Sequence, residues 1–292
     1  MKNFLCALAC LIATQAGAAI TVRDDDGNPV TVQQPARRIL ALAPHVTELL
    51  FAAGGGERIV GTVSYSDYPE AAKRIPKVGD NRQIDIERVL AMKPDLIVVW
   101  LHGSSERQIE MLRQLGIPMF HSEPKKLDDI PASLLRLGQL MGTEAVARPA
   151  AAELRRQLAE LGAKYAGRPP VRLFYQVWDK PLYTLNGAHI VSDAIRLCGG
   201  ENIYAGQKAT APVVGVEAVL LEDPEAIVGS SEKSSTEGGV NMWRRYPALK
   251  AVRDDNLFTL DGNLLNRAGP RMVAGAAALC EKLELARRHR KN

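Results

Sequence analysis

Long apolar runs are missing from most of this 292-residue sequence. After Ala18, charge breaks every apolar stretch within a dozen or so residues, whereas a bilayer-spanning helix needs about 20 apolar residues. The short motifs of common hydrolases and nucleotide enzymes are missing too. There is no GxSxG elbow, no HExxH and no GxxxxGK[ST] phosphate loop. Gly54-Gly55-Gly56 follows a helical segment and reads as its stop. Net charge is small, +4, and part of it sits in Arg287-Arg288-His289-Arg290-Lys291, read as a frayed, solvated helix end. No basic stripe with a reading motif is present, which excludes a nucleic-acid surface. Cysteine is sparse: Cys6, Cys10, Cys198 and Cys280. The last two lie too far apart for a CxxC redox or zinc motif.

The N-terminus carries a positive feature. Met1-Lys2-Asn3 is short and basic, Phe4 to Ala13 is almost wholly apolar, and Ala16-Gly17-Ala18 presents small residues at a cleavage site. This is the layout of a secretory signal peptide over residues 1–18. The expectation is export to the periplasm by a cleavable signal. Cys10 as a lipoprotein acceptor is disfavoured, since Ala7 stands where a lipobox carries Leu. Cys198 and Cys280 then remain in an oxidising compartment, as one disulfide or two buried thiols.

The first half alternates strands and helices. Arg38–Ala43, Ile59–Val63, Leu96–Trp100 and Gly116–Phe120 read as strands. Helices are expected from Pro44, over Asp85–Met92 and over Ser105–Leu115. Leu96-Ile97-Val98-Val99-Trp100 is unbroken and apolar, as in a strand covered on both faces. Such a βαβ rhythm predicts a mostly parallel sheet with helices on both sides.

From Gly138 to Lys164 no strand signal appears, and strong helix formers dominate from Ala150 to Leu161. One long helix of roughly 20 residues, about 30 Å, is predicted. The rhythm then restarts: strands at Val171–Val177, Ala226–Val228 and Leu257–Leu260, helices at Ile190–Cys198 and Pro270–Ala286. The halves echo each other. Ile86-Glu87-Arg88-Val89-Leu90 followed by Pro94-Asp95-Leu96 matches Val216-Glu217-Ala218-Val219-Leu220 followed by Pro224-Glu225-Ala226, at a constant offset of 130 (87 to 217). Two related units predict pseudo-two-fold symmetry and an intervening cleft, a favoured place for ligands. The predicted architecture is α/β: two Rossmann-like lobes with parallel sheets, 19–140 and 168–292, joined by a rigid helix at 141–167.

Five stretches carry a resemblance: Ala43-Pro44-His45-Val46-Thr47-Glu48-Leu49, Tyr65-Ser66-Asp67-Tyr68-Pro69, Lys93-Pro94-Asp95-Leu96, Cys198-Gly199-Gly200-Glu201-Asn202-Ile203 and Arg267-Ala268-Gly269-Pro270-Arg271. In this order and spacing the chain resembles the periplasmic substrate-binding proteins with a helical backbone, the type serving cobalamin and siderophore importers. The cobalamin-binding branch is the nearest likeness. The resemblance implies limited lobe closure, a Cys198–Cys280 disulfide and a monomer. It implies cobalamin as cargo, with no cofactor, and an ABC transporter permease as partner. It also implies that Glu87 and Glu217 contact permease arginines, one from each lobe. By position, His45, Tyr65, Trp100, Asn263 and Arg267 fall where that branch lines its cleft. Trp178, with Tyr175 and Asp179, follows the first strand of the second lobe and is expected to face it too.

Two departures bear on the ligand. Asn81 and Ala211 stand where the cobalamin branch carries tryptophans. A related corrinoid, another pose, a ferric siderophore or haem therefore stay open. Histidines 45, 102, 121 and 189 keep a direct metal-ion receptor open as a different class, although a His-rich loop is lacking. An exported hydrolase is the least supported class. The Ser/Gly/Glu-rich segment from Ser230 to Gly239 reads as a loop of unassigned role.

Overall fold

The computed structural model describes residues 18–80, 82–231 and 239–290. Residues 1–17, which hold nearly all of the expected signal peptide, Asn81 and most of the 230–239 loop lie outside the described residues. The described chain opens with an antiparallel hairpin, β1 (Ile20–Arg23) and β2 (Pro29–Val32). Val22, Val30 and Val32 turn one face of it into the core.

The first parallel sheet follows. β3 (Ile39–Leu42) is buried throughout. It leads into α1 (Pro44–Ala52), whose first-turn proline lacks the N–H that would otherwise go unpaired. Gly54, at φ 85°, lets the chain turn away. β4 (Ile59–Thr62) comes next. α2 (Ile86–Ala91) is capped by Asp85, whose carboxylate accepts from the Arg88 N–H at 2.9 Å. Then come β5 (Leu96–Val99), α3 (Glu106–Arg113) and β6 (Met119–His121). The strand order is β4-β3-β5-β6, all parallel.

Two helices connect the halves. α4 (Asp129–Met141) ends at Gly142 in the left-handed region, and α5 (Glu144–Tyr165) runs for 22 residues. Ala147, Ala151, Leu154, Leu158 and Tyr165 form its buried stripe, at helical spacing. Gly138 of α4 sits against Ala147 so closely that an added Cβ would meet the alanine methyl at 2.4 Å.

The second half repeats the first. It comprises β7 (Val171–Gln176), a short hairpin of β8 (Trp178–Asp179) and β9 (Leu182–Tyr183), α6 (Ile190–Leu197), β10 (Gly200–Asn202), α7 (Val216–Glu222), β11 (Ala226–Ser231), α8 (Lys250–Arg253), β12 (Leu257–Asp261), α9 (Gly262–Leu265) and α10 (Met272–His289). Its parallel order is β10-β7-β11-β12. In both sheets the first strand lies between the second and third, with the fourth outside. α2 precedes β5 exactly as α7 precedes β11, so the repeat read from the sequence is a repeat of topology.

One apolar cluster runs through both halves, from β3 and α1 through α4 and α5 to β7, α6 and α10. A Cys198–Cys280 disulfide joins the end of α6 to α10, with Cα atoms 4.7 Å apart. Closing a loop of 82 residues stabilises by about 2–4 kcal/mol, mainly by restricting the unfolded chain.

The basic tail departs from expectation. Up to Arg290, the last described residue, it is a docked helix end, not a frayed one. Arg287 donates to the carbonyls of Pro169 (2.8 Å) and Cys198 (2.6 Å), and Arg290 donates to Glu225 (2.9 Å). The Cys198 carbonyl, left unpaired where α6 stops, gives Arg287 one of its acceptors, and the Glu225 carboxylate pairs with Arg290.

Candidate functional site

In an open parallel sheet, ligands gather beyond the carboxyl ends of strands where the connectivity reverses direction. In the first sheet that point lies between β3 and β5. His45 stands three residues beyond β3, and Trp100 stands directly after β5. Their rings meet edge to face, with centroids 5.9 Å apart and planes at 83°. Trp100 is half-buried, and its indole N–H donates to Glu123 at 3.4 Å. Gly103 leaves room for the indole; a Cβ there would fall 2.0 Å from it.

His45 is buried, and one ring nitrogen lies 3.2 Å from the Ser122 carbonyl oxygen. Burial pushes its pKa down to about 4, against the partial support of that carbonyl and of Glu123. At neutral pH the ring is therefore an uncharged prop for Trp100.

The other aromatics at this edge are open. Tyr65, after β4, is 72% exposed and sits at φ 66°, a left-handed conformation that costs a bulky residue roughly 1–2 kcal/mol. Tyr68 is 46% exposed. In the second sheet, Trp178 follows β7 and is 60% exposed, its indole N–H donating to the Lys180 carbonyl at 3.1 Å. Among the described residues these are the large exposed aromatics, and all three lie just beyond the carboxyl ends of parallel strands. Tyr175 is instead buried, its hydroxyl donating to Asn266 at 3.0 Å. Asp179 accepts from the Gly239 N–H at 3.4 Å.

A buried ion-pair network joins the two edges. Glu48 of α1 is 3% exposed. Arg271 grips it with two bonds, at 3.0 and 2.6 Å, the forked geometry that matches guanidinium to carboxylate. The Arg271 guanidinium also lies over the Tyr68 ring, 4.0 Å from its centroid. Arg267 reaches Asp67 at 2.6 Å and Glu48 at 3.4 Å. Two carboxylates of the first half thus face two guanidiniums of the second. Although burial pushes the other way, the Arg267 hydrogen bond and charge hold the Asp67 carboxyl below its ordinary pKa. The Glu48 hydrogen bond raises that of Arg271.

Among the residues expected at the site, His45 and Trp100 come together, while Tyr65 and Trp178 stand open at their respective edges. Arg267 is engaged with Asp67 and Glu48. Asn263, half-buried, has its N–H bonded to Asp261 at the start of α9. Glu87 and Glu217 occupy equivalent exposed positions in the first turns of α2 and α7. Sequence reasoning missed Glu48, Tyr68, Arg271 and Glu123 as site residues. One signal was available: Glu48 interrupts the apolar run Val46–Phe51, and a charge in a buried run is nearly always paired.

Two lobes of one topology, meeting at the carboxyl edges of their sheets and tied by a long helix, define a two-lobed solute-binding protein. The chain belongs to the periplasmic binding protein family, which it matches over residues 39–264. It is 38% identical to the vitamin B12-binding protein of Vibrio cholerae serotype O1 over 255 residues, 87% of this chain and 91% of that one. With the vitamin B12-binding protein of Yersinia pestis it shares 37% identity over 250 residues, 86% of this chain and 87% of that one. The crystal structure of the periplasmic vitamin B12 binding protein BtuF of Vibrio cholerae superposes with a TM-score of 0.81, covering 87% of this chain and 98% of that chain at 38% identity. The fold is shared more widely. The periplasmic heme-binding protein RhuT from Roseiflexus sp. RS-1 matches with a TM-score of 0.73 at 22% identity, covering 86% of this chain and 99% of that chain.

The burial of His45 predicts a pH effect of definite sign. The unfolded chain takes up a proton on this ring below its ordinary pKa of 6.5, while the folded chain does so only near 4. Stability attributable to His45 is thus intact above 6.5 and drains away as pH falls toward 4. Urea unfolding of the wild type and His45→Gln across that window should show the wild type losing stability more steeply. Equal pH slopes would contradict a buried neutral ring.

Proposed function

We propose that this chain captures cobalamin, or a closely related corrinoid, between its lobes in the periplasm and delivers it to the permease of an ABC importer. The single observation that carries this reading is the 38% identity to a vitamin B12-binding protein along 87% of the chain. The exposed aromatics at the two sheet edges support it, because ring faces suit a large, flat, amphipathic ligand. In this reading residues 19–140 and 168–292 are the lobes and 141–167 the connector. Tyr65, Trp100 and Trp178 contact the ligand face, with His45 behind Trp100. Asn263 lies at the rim, and Arg267 both contacts ligand and ties the lobes. Cobalamin is cargo, and the chain acts as a monomer without a catalytic step.

Glu87 and Glu217 are the proposed docking pair. Each sits exposed in the first turn of a helix at the same place in its lobe, and neither bonds another side chain among the described residues. Two such carboxylates can each take a forked bond from an arginine, and their repeat suits a two-fold partner.

Calorimetric titration of the mature chain with cyanocobalamin tests the ligand. One-to-one binding is expected, with Trp100→Ala and Trp178→Ala each weakening it at least about tenfold, or about 1.4 kcal/mol. If cyanocobalamin gives no heat while a ferric siderophore or haem does, the ligand assignment falls and the receptor class stands.

Docking is tested separately. Reversing both charges, Glu87→Arg with Glu217→Arg, should abolish uptake through the cognate importer in reconstituted vesicles while leaving ligand affinity unchanged. Normal uptake, or loss of ligand binding, would remove the docking role.

A further inference from the structure

Three side chains to which the corrinoid reading gives no ligand contact converge beside β6. His121 ends that strand, Glu123 lies two residues on, and His102 follows Trp100 by two. One ligating atom from each, all mutually within 4.8 Å, forms a compact set. His102 Nδ1 is in contact with Glu123 Oε2, and His121 Nε2 lies 3.4 Å from the same oxygen.

The decisive group is His121. Its side chain is almost wholly buried, and its Nε2 makes no hydrogen bond. The other ring nitrogen is committed, with Nδ1 2.6 Å from Asp26 Oδ2. A neutral ring that donates its Nδ1–H to Asp26 must present the Nε2 lone pair to Glu123, another acceptor. Two acceptors facing one another are unfavourable unless a metal ion or an added proton lies between them, and His102 brings a further metal-ligating nitrogen to the same oxygen. A carboxylate holding the far nitrogen of an imidazole is also the usual outer support of a metal-bound histidine.

From this geometry we propose that His102 Nδ1, His121 Nε2 and Glu123 Oε2 bind one divalent late first-row transition ion, of which zinc is the representative. Two imidazoles and one carboxylate suit zinc, cobalt, nickel or copper, whereas calcium and magnesium take oxygen ligands. Metal–ligand bonds of about 2.0–2.1 Å at tetrahedral angles place neighbouring ligand atoms about 3.3 Å apart. The 3.4 Å between His121 Nε2 and Glu123 Oε2 meets that requirement. His102 is 65% exposed, so its ring is free to adjust and a fourth position stays open to solvent or solute.

This site differs from a receptor that gathers histidines across both lobes. His45 is turned to the Ser122 carbonyl, and His189 accepts from the Val191 N–H at the start of α6. All three ligands belong to the first lobe. Because Glu123 also accepts from the Trp100 indole, an ion held by Glu123 fixes the support of a tryptophan at the cleft edge.

Metal binding to the untagged, dialysed mature chain tests the proposal, by zinc calorimetry and by the visible spectrum of the cobalt form. One ion per chain is expected. His102→Ala, at an exposed position, should weaken zinc binding at least about tenfold, and Asp26→Asn should weaken it about 10–100-fold. Circular dichroism of both variants should match the wild type. Absence of stoichiometric zinc binding would overturn the proposal, as would one-to-one binding that His102→Ala leaves unchanged. In the first case, nitrogen NMR showing a doubly protonated His121 would identify an imidazolium held between Asp26 and Glu123.

Discussion

The arrangement of the two lobes depends on one buried carboxylate. Glu48 projects from the first helix into the contact between the halves, where water does not reach it. Alone, such a charge would be costly, and its position is tolerable only because Arg271 and Arg267 arrive from the other half. Removing one member of a buried pair typically costs about 3–5 kcal/mol, since the survivor is left uncompensated. The network therefore does more than add stability. It fixes which edge of one sheet meets which edge of the other, and Tyr68 lies over Arg271 to keep the guanidinium in place.

Around that point the molecule is built to move little. The apolar cluster is continuous through both halves, so opening the lobes widely would expose core. α5 packs along this cluster, α4 packs against α5 at Gly138, and the Cys198–Cys280 bond holds α6 to α10. Such packing restricts hinge opening, and under the proposed ligand reading that preorganisation reduces the ordering cost of binding. Tyr65 fits the same account: a bulky residue held in the left-handed region with its ring in solvent is strain of the kind that functional sites keep.

Much of the fold was legible because its strands are buried on both faces. Ile39–Leu42 and Leu96–Val99 read as unbroken apolar runs, and the 130-residue echo foretold two related units, which the structure shows as two sheets of the same strand order. The long connector was legible from its helix formers, to within a few residues. α4 went unread ahead of it, and Pro149 inside α5 did not stop the helix. The β8–β9 hairpin, two residues a strand, is too short to carry a period. The site was less accessible for a different reason. Tryptophans and tyrosines at strand ends could be picked out by position, but Glu48 and Arg271 stand 223 residues apart. No local pattern announces such a pair. The docking of the basic tail and the meeting of His102 with His121 and Glu123 likewise depend on contacts that exist only in the folded chain.

The central claim is that the carboxyl edges of two like sheets enclose one corrin ring. A crystal structure of the mature chain grown with cyanocobalamin tests it most directly. The account predicts a single corrin between the lobes, against Trp100 on one side and Trp178 on the other, with the Glu48–Arg271 pair intact. A corrin bound outside the inter-lobe edge, or a cleft closed with Trp100 and Trp178 buried against protein and no ligand between them, would contradict it.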